Sequence, residues 1–166
     1  MEGDVVVRQG YVSGMIGDIT RLHAEYYGRE WGFGMGFEAQ VARDVGTFLE
    51  RYEAERDGIW TVWEAGRAVA AILIDGYGTA PDEARLRYFI VGDAARGHGL
   101  GRQLMETALA FCDAKAYGRV TLKTLDGLKA ACHLYEAFGF VVYERAWHEG
   151  IQELFYERLR PQESSR

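Results

Sequence analysis

Apolar positions along this chain follow two rhythms, one alternating every second residue and one returning every three to four, and their succession lays out the elements. Val5 to Arg8 reads as a short first strand. Ile19, Leu22, His23 and Tyr26 share one helical face, which predicts a helix from Ile19 to about Tyr27 with an N-cap at Gly17-Asp18. Gly28 to Gly36 interleaves glycines with Trp31, Phe33 and Met35, and predicts a mobile aromatic loop suited to walling a small substrate. Phe37, Val41, Phe48 and Tyr52 then form one stripe of a second helix, from about Phe37 to Asp57, stopped by Gly58. Two strands follow, Ile59 to Glu64 and Ala68 to Asp75, around the turn Ala65-Gly66-Arg67.

After a loop over Gly76 to Pro81, Arg85 to Val91 reads as a strand. Leu100, Leu104, Ala108 and Cys112 mark the buried stripe of a helix from Leu100 to Ala116, ended by Gly118. Val120 and Leu122 alternate in a strand over Arg119 to Thr124. A short helix from Gly127 to Phe138, capped by Asp126 and closed by Gly139, precedes final strands at Phe140 to Tyr143 and Gln152 to Leu159. The order predicts a mixed α/β fold: a central twisted mixed sheet flanked by helices, with a parallel crossover near residues 96–101. No linker interrupts it, so residues 1–161 are expected to form a single domain and 162–166 a polar tail.

Composition narrows the function. A chain of 166 residues, 48% hydrophobic and 27% charged, matches an ordinary globular domain, and no apolar run approaches the ~20 residues of a bilayer span. Met1 to Val7 carries two acids and no basic residue, unlike a secretory leader. A net charge of −6 argues against a general nucleic-acid binder and tilts any small-molecule partner toward a cation. Cys112 and Cys132 sit among apolar residues and suit a reducing, cytoplasmic compartment. His23, His98, His133 and His148 show no metal-ligand spacing, so no metal is expected.

The decisive motif is Arg96-Gly97-His98-Gly99-Leu100-Gly101, which links a strand to a helix. Such a loop presents backbone N–H groups to an anionic phosphate, and glycines let the main chain approach closely. Arg96, His98 and Arg102 add a local basic patch. The spacing lacks the third glycine and the downstream acid of a dinucleotide-binding turn, and no Gly-Lys-Ser/Thr marks a P-loop.

This loop is similar to the acyl-coenzyme A loop of the GNAT acetyltransferase superfamily, whose pattern is Gln/Arg-x-x-Gly-x-Gly/Ala. The segment Ala130-Ala131-Cys132-His133-Leu134-Tyr135-Glu136-Ala137-Phe138-Gly139-Phe140 resembles that family's Ala-x-x-Leu-Tyr-Glu-x-x-Gly-Phe. The element order matches over nearly the whole chain. A closer resemblance is to the acetyltransferase half of bacterial proteins carrying a MarR-type DNA-binding domain, through the first helix and loop, Phe37-Glu38 and Leu86-Arg87. The chain has no room for that DNA-binding domain, so neither nucleic acid nor membrane is expected as a partner.

The resemblance implies acetyl-coenzyme A as cofactor, direct attack by a primary amine of a small molecule or peptide, and a homodimer as an option. It implies cofactor contacts at Phe89, Ile90 and Val91, through the backbone, and at Arg96, Gly97, His98, Gly99, Leu100, Gly101, Arg102 and Asp126. Tyr135 is the expected general acid, since a phenol of pKa ~10 is matched to a leaving thiolate. Many members keep a glutamate where this chain has Arg85, so the general base must be another group: Glu38 is the expected substitute, with His23 as the second candidate. Leu125 stands where related sequences often place a cofactor-contacting asparagine. Tyr26, Tyr27, Trp31, Phe37 and Arg87 are the expected acceptor-binding residues, the aromatics offering a cation–π surface. The alternative reading, prompted by the missing glutamate, is a catalytically silent acyl-coenzyme A sensor or assembly module.

Overall fold

The computed structural model describes residues 4–77 and 80–161. Twelve elements follow in order: β1 (Val6–Gln9), α1 (Met15–Trp31), α2 (Met35–Glu50), β2 (Gly58–Glu64), β3 (Arg67–Asp75), β4 (Glu83–Val91), a 3-10 turn (Asp93–Ala95), α3 (Leu100–Ala114), β5 (Arg119–Leu125), α4 (Lys129–Ala137), β6 (Val141–His148) and β7 (Ile151–Leu159). The strands form one seven-stranded sheet in the order β1-β2-β3-β4-β5-β7-β6. Every neighbouring pair is antiparallel except β4 and β5, which the α3 crossover joins in parallel. The expected element order and mixed sheet are therefore what the chain forms.

Each sheet face carries its own core. Ala70, Ile72 and Ile74 of β3 pack toward Leu104, Met105, Ala108 and Cys112 of α3. Ala71 and Leu73 pack toward Met15, Ile19, Val45 and Phe48 of α1 and α2. Burial on both faces explains why β3 reads as a continuous apolar run rather than an alternation.

Several boundaries differ from the sequence reading. The first helix begins at Met15 and runs through Gly28 to Trp31, so the expected loop over Gly28 to Gly36 contracts to Gly32–Gly34. Gly32, at φ 70, ends the helix by donating to Gly28 O, and the Phe33 N–H donates to Tyr27 O. Asp18 is no cap. It is buried inside α1, accepts bonds from Arg67 Nε at 2.7 Å and the Ala68 N–H at 2.9 Å, and pins the helix to the β2–β3 hairpin. The second helix stops at Glu50 rather than Asp57, and Asp57 instead accepts from the Glu53 and Gly76 N–H groups. Gly58 opens β2, where a Cβ would strike the Trp60 ring. Asp126 does not cap α4, which begins at Lys129 without a side-chain cap. β6 extends past Tyr143 to His148, because Glu149 and Gly150, at φ 48 and φ 77, make a tight two-residue hairpin turn. The polar tail expected over 162–166 and part of the loop expected over 76–81 lie outside the described residues.

Candidate active site

The parallel pair β4/β5 holds its ladder for only three steps, Glu83↔Arg119, Ala84↔Val120 and Arg85↔Thr121. Beyond Arg85 and Thr121 the strands part, and the β5-facing N–H and C=O groups of β4 have no strand partner. A cleft of about 550 Å³ fills the opening. Its walls come from Leu86 to Val91 of β4, Leu122 to Thr124 of β5, the glycine loop, the first turns of α4 and the middle of α1.

A bulge shapes the β4 wall. Ala71 pairs with Ile90 and Leu73 with Arg87, so two steps on β3 face three on β4. Tyr88, at φ 52, takes up the extra residue in a conformation rare for an aromatic side chain. The phase of the strand reverses there: Leu86, Phe89 and Val91 pack on the α3 side, and Tyr88 and Ile90 on the α1/α2 side.

The glycine loop closes one end. Gly97 (φ 81) and Gly99 (φ 74) are left-handed, and a Cβ on either would meet nothing within 4 Å, so the main chain lies bare. α3 starts directly after Gly99 with no side-chain cap, which leaves its first N–H groups free for an anion. Gly101 backs onto Phe89, Val91 and Leu134. Arg96 lines the cleft but is held: Nε donates to Val91 O at 3.1 Å, the guanidinium lies 5.0 Å over the Tyr26 ring, and Nη1 pairs with Asp93 at 3.3 Å.

On the α4 wall, Tyr135 is buried against Phe89, Phe140 and Tyr156, with centroids 6.1, 6.0 and 5.7 Å away. Burial, reinforced by the nearby Tyr27 hydroxyl, pushes its pKa well above the usual phenol value. The phenol therefore holds its proton at any ordinary pH.

The opposite wall is aromatic. Tyr27 stacks on His23 (6.2 Å) and Phe33 (5.8 Å) and touches Phe37 (5.1 Å), and burial pushes its hydroxyl up to about 12. His23 is buried edge-on to Tyr88 at 5.9 Å, and its Nδ1 lies 2.8 Å from the Ile19 carbonyl oxygen. A carbonyl only accepts, so Nδ1 carries the proton and Nε2 is left as an acceptor. Burial pulls the imidazole down to about 4, which keeps it neutral near pH 7. Arg87 donates to Asp75 Oδ2 at 3.2 Å and to the Tyr88 hydroxyl at 2.9 Å.

Of the residues expected from sequence, the cleft gathers Tyr135, Phe89, Ile90, Val91, Arg96, Gly97, Gly99, Leu100, Gly101, Tyr26, Tyr27, Arg87 and His23. Glu38 is exposed on α2 and does not line it. Phe37 reaches it only through Tyr27, and Trp31 packs beside Gly127 at its rim. The basic patch does not assemble: His98 is exposed off the lining, and Arg102 lies 5.3 Å over the Phe138 ring. Asp126 is exposed and joins Gln152 through its backbone N–H. Arg85 is exposed on β4.

The sequence reading missed Tyr88, Lys123 and Lys129, which also line the cleft. The odd spacing from Leu86 to Phe89 is the trace that the bulge leaves in the sequence. The lining includes Arg87, Arg96, Lys123 and Lys129 and, among the described residues, no carboxylate. The overall acidity of the chain thus does not extend to the cleft.

A profile of the acetyltransferase (GNAT) family matches residues 16–140. An uncharacterized N-acetyltransferase of Schizosaccharomyces pombe is 27% identical over 86% of this chain and 86% of its own length. An acetyltransferase structure from Streptococcus agalactiae superposes with a TM-score of 0.77 at 19% identity, covering 94% of this chain and 98% of that one. A GNAT-family structure from Staphylococcus aureus gives the same TM-score at 15% identity, covering 94% of this chain and 99% of that one. At these identities the two superpositions speak for the fold alone.

Proposed function

We propose that this chain, which belongs to the acetyltransferase (GNAT) family, moves an acetyl group from acetyl-coenzyme A to a primary amine by direct attack, both substrates being held together in the β4/β5 opening. The observation that carries the reading is the conjunction at one cleft of unpaired β4 backbone, the bare glycine turn before α3, and buried Tyr135.

The residues present fit the cofactor. The positive-φ glycine turn and the uncapped N-terminus of α3 suit a pyrophosphate, with Lys123, Lys129 and Arg96 adding positive charge. The open edge of β4 over Phe89, Ile90 and Val91 suits an extended amide-bearing arm. Acetyl-coenzyme A, when bound, supplies the activated acetyl group as a thioester. A β4 backbone N–H at Ile90 or Val91 polarises the carbonyl under attack, a contribution worth ~3–4 kcal/mol per donor. Tyr135 carries the proton that the departing sulfur needs, and the phenols and apolar side chains around it exclude bulk water.

Deprotonation of the amine is served from the α1 wall. His23 lines the cleft with Nε2 as its acceptor, whereas Glu38 stands outside the lining, so the base role falls to His23 or to a water held by it. The cationic lining assists, because like charge disfavours an ammonium ion and releases the neutral nucleophile. Free thiols at Cys112 and Cys132 support a reducing, cytoplasmic setting.

The test pairs calorimetry of acetyl-coenzyme A binding with thiol release across an amine panel, the products read by mass spectrometry. Binding with transfer to an amine supports the reading. The lack of a lining carboxylate favours a second one, a binding module without turnover, which requires tight binding and no transfer to any amine. Absence of binding overturns both.

A further inference from the structure

Resting on the acetyltransferase reading, we infer that the acceptor is an amine that also bears a carboxylate, of the α-amino-acid type, and that Arg87 is the residue that selects it. Three of the four cations along the cleft have another use: Arg96 at the glycine loop and Lys129 on the α4 wall face the phosphates of the proposed cofactor, and Lys123 of β5 pairs with Glu153 at 3.0 Å. Arg87 is left over. Its β3 partner Leu73 lies three residues from Ala70, the partner of Val91, which places Arg87 roughly 10 Å toward the far end of the cleft. It lies past the Tyr88 bulge, in the corner formed with His23 and Tyr88 on the α1 side.

Arg87 is also built to stay cationic and in place. Its Nη1 donates to Asp75, its Nη2 to the Tyr88 hydroxyl, and its guanidinium lies 5.0 Å over the Tyr88 ring. Asp75 does not cancel its charge, because the same buried carboxylate also accepts from Arg51. Two guanidiniums converge on Asp75, with Asp57 also acting on Arg51, and among the described residues Arg51 Nη1 has no hydrogen-bond partner. Asp44 of α2 is felt at the Tyr88 hydroxyl but does not line the cleft. The corner facing the acceptor therefore carries a fixed positive charge beside aromatic rings.

A polyamine or aminoglycoside would bring further cations into this cleft with no acid to receive them. An amino acid brings a carboxylate for the Arg87 fork and an amine that attacks beside His23, and the aromatic wall receives an apolar side chain.

The experiment measures thiol release with L-α-amino acids, their amides, their decarboxylated amines and spermidine. The expected result is a kcat/KM at least tenfold higher for the acids than for the matched amides and amines, with spermidine lowest. Arg87→Gln should erase that preference by raising the acceptor KM, with the calorimetric affinity for acetyl-coenzyme A unchanged, and Arg87→Lys should restore part of it. Comparable turnover of acid and amide by the wild-type protein overturns the inference, as does preference for spermidine or failure to acetylate any amino acid. Each of those outcomes leaves the acetyltransferase reading to its own test. Loss of acetyl-coenzyme A binding in the wild-type protein would instead remove that reading, and this one with it.

Discussion

His23 donates its Nδ1 proton to the carbonyl oxygen of Ile19, one turn earlier in α1, at 2.8 Å. Burial keeps the ring neutral in the folded chain, with a pKa of about 4 against 6.5 for an exposed histidine. Above pH ~6.5 both folded and unfolded chains hold it uncharged. Between pH ~6.5 and ~4 only the unfolded chain takes up the proton, so stability is lost as the pH falls through that window. The expected loss from this group between pH 7 and pH 5 is about 2 kcal/mol. Denaturant unfolding of wild type and His23→Gln at both pH values checks it. An equal loss in the two proteins would show that the histidine is not the cause.

Tyr135→Phe preserves the ring contacts with Phe89, Phe140 and Tyr156 and removes only the hydroxyl. The expected result is a kcat lowered roughly 100-fold. Affinity for acetyl-coenzyme A and the thermal midpoint should barely change. Steady-state thiol release with calorimetry on the same preparation decides it, and undiminished turnover would take the proton-donor role away from Tyr135.

Two glycine-to-alanine changes should move stability in opposite directions. At Gly76 a Cβ would collide with the Tyr117 hydroxyl and the Arg56 carbonyl, which are hydrogen-bonded to each other at 2.8 Å, so Gly76→Ala should cost about 2–3 kcal/mol. At Gly46, inside α2, a Cβ meets nothing within 4 Å, and Gly46→Ala should add ~0.5–1 kcal/mol. Midpoints from urea unfolding give both signs directly.

Asp18 receives Arg67 and the Ala68 N–H from the hairpin it anchors. Burial raises its pKa, but the hydrogen bonds from Arg67 and Ala68 outweigh that and hold it below the ordinary carboxylate value. Asp18→Ala leaves the Ala68 N–H without its acceptor and should cost about 2–3 kcal/mol, and Asp18→Asn, which keeps that acceptor, should cost less. Hydrogen exchange at the Ala68 amide provides a local readout: exchange no faster in Asp18→Ala than in wild type would contradict the anchoring role.

The amino-acid order by itself determined the succession of elements, the mixed sheet and the place of the glycine turn that opens α3. Those depend on local physics: the stripe through Leu104, Ala108 and Cys112, the alternation at Val120 and Leu122, and the left-handed glycines Gly97 and Gly99. Helix limits escaped it, because Asp18 and Asp57 look like helix-end residues until the segments they bind, 50 and 19 residues away, come into contact. The cleft lining was legible where it rests on chain neighbours, at Arg96, Gly97, Gly99, Leu100, Gly101 and Tyr135. It was illegible where it rests on distant ones. Whether Glu38 or His23 faces the cleft depends on how α1 and α2 pack over the sheet. That Arg87 and Arg51 share Asp75 appears only when β3, β4 and the end of α2 come together. The divergence of β4 from β5 likewise appears only when two strands, separated by a whole helix, are laid side by side, since periodicity records which face a residue shows and not what it meets there.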